Sequence, residues 1–66
     1  MHLLSFNPKF HFRFIRYEGK LFVDITGDGK AWIHAIRDDK VHKPQDWVPA
    51  DVIEHINRMI KLRAFL

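Results

Sequence analysis

Cysteine is absent from this 66-residue chain, so it can build no disulfide, thiolate metal site or thiol nucleophile. A reducing interior, the cytoplasm, is the expected setting. Serine occurs once, at Ser5, and nothing resembles a strained nucleophile elbow, so the chain does not read as an enzyme. No stretch approaches the roughly 20 apolar residues of a membrane helix. The opening MHLLSFNPK is too short in apolar run for a signal peptide, so no membrane association is expected. Glycine and proline number three each, which makes each of them informative about where the chain turns.

What is present is a small, modestly basic domain. A chain this short buries only about 60% of the surface its unfolded form exposes, so its core is small. Eleven Lys and Arg stand against eight Asp and Glu, for a formal charge of +3. The excess is uneven. Lys9, Arg13, Arg16 and Lys20 face Glu18 alone in the first twenty residues, and the last eleven hold Arg58, Lys61 and Arg63 with no acid. Two basic zones attract phosphate, although a few extra cations also serve plain solubility.

The pattern divides the chain into an arm over residues 1–8, a sheet over 9–37, a loop over 38–48 and a helix over 49–63. Asn7-Pro8 ends the arm, because proline lacks a ladder donor and biases its predecessor toward extended geometry. KFHFRFIRY, KLFVDIT and KAWIHAIR alternate as strands do, separated by turn-forming Glu18-Gly19 and Thr26-Gly27-Asp28-Gly29. The expected fold class is α+β: a three-stranded antiparallel meander packed against one C-terminal helix.

Turn lengths assign the faces. A two-residue loop at Glu18-Gly19 pairs Tyr17 with Lys20 and, further down, Phe14 with Val23 and Phe12 with Ile25. Phe12, Phe14, Leu21, Val23 and Ile25 then share one face. For the second turn, a type I turn closed by a left-handed Gly29 gives a three-residue loop, pairs Val23 with Ile33 and Ile25 with Ala31, and adds Ala31, Ile33 and Ala35 to that face. The alternative is a two-residue loop at Asp28-Gly29, which puts Trp32, His34 and Ile36 in the core instead. In the helix, Pro49 suits a first position and Asp51 the positive end of the dipole. Val52, Ile53, Ile56, Met59 and Ile60 form its apolar stripe.

Metal and catalytic readings are poorly served. Asp24, Thr26 and Asp28 with Gly29 have the spacing that starts a calcium loop, but the closing acid falls on Ala35, so no metal is expected. His2, His11, His34, His42 and His55 lack ligand spacing, and Asp38 and Asp39 read as a solvated turn. No cofactor and no catalytic residue are assigned.

The second face of the sheet carries the functional expectation. With the three-residue loop it holds Lys9, His11, Arg13 and Tyr17, then Lys20 and Phe22, then Trp32 and His34, which are the candidate binding residues. Aromatics set among cations supply stacking platforms and phosphate partners, so binding of DNA or RNA is the leading expectation. A three-stranded sheet backed by one helix resembles in architecture the small DNA-binding domains of some plant regulators and phage-type integrases, which lay the sheet in the major groove. The alternative partner is a protein, as for a phage or mobile-element inhibitor of a host enzyme or defence complex, since Trp, Tyr and Arg also dominate interface hot spots. A bland alternative has Leu3, Leu4 and Phe6, or the loop with Trp47, folding over that face as a second small core. Leu62, Phe65 and Leu66 extend past the helical stripe and would suit a homodimer contact.

Overall fold

Three two-residue turns, at Glu18-Gly19, Asp28-Gly29 and Asp38-Asp39, organise the computed structural model, which describes residues 9–63. All six turn residues have positive φ, between 51° and 77°. Positive φ at both central positions defines the type I′ hairpin, whose twist matches that of its flanking strands. The turns separate β1 (Phe10–Tyr17), β2 (Lys20–Gly27), β3 (Lys30–Arg37) and β4 (Lys40–Val41), which form one antiparallel sheet in chain order, followed by α1 (Ala50–Lys61). This is the α+β meander with a C-terminal helix, with one short strand more than expected. β4 lies within the expected loop because Asp38 and Asp39, at φ 54° and 61°, make a hairpin turn without glycine; short polar side chains tolerate that region.

The β1–β2 register is the expected one, with Tyr17 opposite Lys20, Phe14 opposite Val23 and Phe12 opposite Ile25. The β2–β3 register is not. Val23 lies opposite His34 and Ile25 opposite Trp32, so the turn is the two-residue Asp28-Gly29 loop and β3 is flipped relative to the expectation from a three-residue loop. Trp32, His34 and Ile36 therefore share the face of Phe12, Phe14, Val23 and Ile25, while Ala31, Ile33 and Ala35 go to the other side. Two packing relations accompany this register. Phe10 lies opposite Gly27 and covers it so closely that a β-carbon there would collide with the ring. His34, only 2% exposed, is tied down by the backbone N–H of Gln45, which donates to Nε2 over 3.2 Å.

The helix packs on this face. Val52, Ile56 and Ile60 recur every fourth residue and are buried with Phe10, Val23, Ile25, Val41 and Val48, while Ile53 and Met59 are half-buried. Pro49 is the N-cap rather than the first helical residue, its carbonyl accepting from the N–H groups of Val52 and Ile53. The helix stops at Lys61, two residues short of expectation, where Arg63 turns left-handed at φ 56° and donates its N–H to the Ile60 carbonyl. Asn57 Oδ1 accepts the N–H of Val41 at 2.8 Å, so the helix satisfies a donor on β4. Arg63 and Asp39 add an exposed ion pair at 3.1 Å between the chain after the helix and the third turn. No described helix is long and apolar enough to cross a membrane.

Candidate functional site

Strand alternation gives the sheet an outer face, away from α1. Its rows follow from the register: His11, Thr26 and Ala31; Arg13, Asp24 and Ile33; Ile15, Phe22 and Ala35; then Tyr17 and Lys20, with Arg37 and Lys40 paired alongside. Tyr17 is 63% and Ile33 56% exposed, and Ile15 and Phe22 are half-buried. The loop before the helix does not cover this face. Trp47 instead stacks on Phe10 at 6.4 Å, on the helix side. Leu3, Leu4 and Phe6, offered as the other cover, lie outside the described residues, as do Phe65 and Leu66 of the dimer reading; Leu62 is 71% exposed.

Of the residues singled out from sequence, the structure brings His11, Arg13, Tyr17, Lys20 and Phe22 together on the outer face. Lys9 is exposed just before β1. Trp32 and His34 do not belong to this group. They lie on the helix face, His34 buried in the core and Trp32 at its margin with 54% of its surface exposed. The reason is the shorter turn, which shifts β3 by one residue and so reverses every side chain on it. Sequence reasoning missed Arg37 and Lys40, which the third hairpin places on the outer face, and Ile33, which the flip exposes. A signal for the first two was present: Glu18-Gly19-Lys20, Asp28-Gly29-Lys30 and Asp38-Asp39-Lys40 repeat one turn pattern every ten residues, each followed by lysine.

Charge on this face is polarised along the strands. Toward the second turn, Arg13, itself largely exposed, pairs with the largely covered Asp24 at 3.6 Å, so this cation has an acid beside it. On the helix side of the sheet, Lys30 lies 3.9 Å from Asp28, so both acids of the calcium-like stretch face cations. At the opposite end, none of Lys20, Arg37 and Lys40 has an ion-pair partner among the described residues. There the sheet also splits. Pairing of β2 with β3 ends at Phe22 and Ala35; beyond it, Lys20 and Leu21 continue only beside β1, and Ile36 and Arg37 only beside β4. A crevice opens between the two hairpins, lined by Lys20, Leu21, Phe22, Ala35, Ile36 and Arg37.

Among the described residues, His34 is the one perturbed titratable group. Burial pushes its pKa below the usual 6.5, and the neighbouring backbone of Trp32 and Val23 and the Asp24 carboxylate oppose this only in part. Its Nε2 accepts from Gln45, so the proton of the neutral ring sits on Nδ1, which is buried with no hydrogen-bond partner among the described residues. Such a histidine is a core strut. Among the described residues no three His, Asp or Glu side chains gather as metal ligands would. Comparisons with protein-family models, curated proteins and solved structures find no match for this chain.

Proposed function

We propose that this domain is a non-enzymatic nucleic-acid-binding module acting through the outer face of its sheet in a reducing, cytoplasmic setting. The observation that carries the reading is the end of that face where Tyr17 and Phe22 adjoin Lys20, Arg37 and Lys40, three exposed cations with no partner among the described residues. Cations for the backbone and flat rings for the bases are what such recognition uses. The chemistry is sequence-tolerant, because phosphate contacts position a ligand without reading it. Among the described residues, the outer face holds no Asn or Gln, the side chains that read adenine edges.

The test is a salt titration of binding to mixed-sequence DNA and RNA. Three or four phosphate contacts give log affinity falling with log salt at a slope of roughly −2 to −3.6. Replacing Lys20, Arg37 and Lys40 by serine together should flatten that slope by roughly 2 to 2.7 while leaving the melting curve close to wild type. A salt-independent signal, or none at low salt, would rule the reading out. A protein partner is the second reading, favoured by Asp24 within the basic field and by the exposed Ile33 beside it. Such a partner would include a host enzyme or defence complex if the domain comes from a phage or mobile element.

A further inference from the structure

We infer that the ligand of this face is single-stranded: one unpaired base seats at the split between β2 and β3 against Phe22, and its flanking phosphates meet Lys20 on one lip and Arg37 and Lys40 on the other. This inference rests on the nucleic-acid reading above and narrows it. Its ground is the geometry of the split. An intact four-stranded sheet would present a closed pleated surface, but here β2 and β3 part after Phe22 and Ala35. The crevice between them has about 420 Å³ of space, toward the lower end of small-molecule sites. Its lips are cationic and its floor is an aromatic ring and an alanine. Leu21 and Ile36, which flank it, lie beyond the last β2–β3 pair, so the facing edges of their backbones are not joined across the gap. A planar, polar-edged group with an attached anion matches all three properties.

Duplex DNA matches them less well. In a duplex the base faces are stacked on one another and only edges reach the grooves, so Phe22 and Tyr17 would have no ring face to meet. A sheet that reads a groove needs long polar side chains directed at base edges, as bidentate Arg, Asn and Gln are. Between the cations this face offers Ile15, Phe22, Ala35 and Ile33, and its central Arg13 is held by Asp24 at 3.6 Å. An unpaired strand exposes both base faces and bends to follow a row of cations, which is how single-strand binders combine stacking with charge.

The experiment compares one fluorescently labelled oligonucleotide alone and annealed to its complement, in DNA and RNA versions, by anisotropy against the full chain. The single strand should bind at least about tenfold more tightly than the duplex. Phe22→Leu, which keeps apolar volume but removes the ring, should weaken single-strand binding roughly 5- to 150-fold, the range for loss of one stacked base. Tyr17→Ala, at an exposed site, gives a second readout that does not depend on the core, and melting curves of both variants control for folding. Equal or tighter duplex binding overturns the single-strand inference and leaves the nucleic-acid reading standing. Unchanged affinity in both ring variants removes the stacking role. Absence of binding to either form overturns the nucleic-acid reading, and this inference with it.

Discussion

The backbone N–H of Gln45 donates to Nε2 of His34 over 3.2 Å, joining β3 to the loop that carries Trp47 onto Phe10. Protonating His34 removes this acceptor. Because burial holds its pKa below 6.5 in the folded state, the unfolded chain binds the proton more readily, and stability falls as pH falls wherever the two states differ in protonation. The contribution is complete above pH 6.5 and is lost progressively as pH drops through that value toward the lower folded pKa. Melting temperature should therefore decline on acidification from neutral. His34→Leu should be less stable at neutral pH, since Gln45 loses its acceptor, but its melting temperature should depend less on pH. An equally steep decline in the variant would assign the effect to other groups.

The flip of β3 makes neighbouring positions behave oppositely to the expectation from the longer turn. Ile33→Ala should change stability by no more than about 0.5 kcal/mol, as exposed positions do, whereas Ile25→Ala or Ile56→Ala should cost about 2–5 kcal/mol. Trp32→Ala should leave nucleic-acid binding intact because its ring lies on the helix face. Chemical denaturation of the four variants, paired with anisotropy, separates the faces. Severe unfolding in Ile33→Ala would contradict the register.

Two glycines should respond differently to the same substitution. Gly27→Ala drives a β-carbon into the buried Phe10 ring, and overpacking of this kind costs about 1–3 kcal/mol. Gly19→Ala meets nothing within 4 Å and is penalised only for its φ of +77°, by roughly 1 kcal/mol. Their ranking by denaturant midpoint tests whether Phe10 lies over Gly27.

Asn57 ties α1 to the sheet through one hydrogen bond to Val41, at 2.8 Å. Asn57→Ala leaves that partly buried N–H without its acceptor and should cost about 1–3 kcal/mol. Asn57→Asp keeps an acceptor oxygen and should recover most of the loss. Hydrogen exchange at Val41 reads the bond directly: faster exchange in Asn57→Ala with protection retained at Val23 would localise the effect to β4.

Much of the fold was legible because its signals were local. Glu18-Gly19 set the first register, Pro49 and Asp51 marked the helix start, and Val52, Ile56 and Ile60 showed its buried stripe. The second register was not legible from pattern alone, because Thr26-Gly27-Asp28-Gly29 offers two loops and the residues on both faces of β3 are partly apolar. What accompanies the observed one is tertiary: Phe10 covering Gly27, and Gln45 meeting His34. The candidate site was half legible for the same reason. β1 and β2 kept their outward residues, while those on β3 changed sides with the register, and Arg37 and Lys40 depended on a hairpin whose turn contains no glycine.

The ten-residue repeat of turns also bears on how the chain reaches its native state. Every strand pairs with the strand next to it in sequence, so each hairpin closes a two-residue loop and then offers an edge to the next. Loop-closure entropy is small at every step, and the sheet's relative contact order is correspondingly low for a β-rich domain. The helix joins last in chain order but near its anchor, Asn57 lying 16 positions after Val41. Folding can thus proceed as a sequence of short closures, fast compared with sheets that must first bring distant segments together.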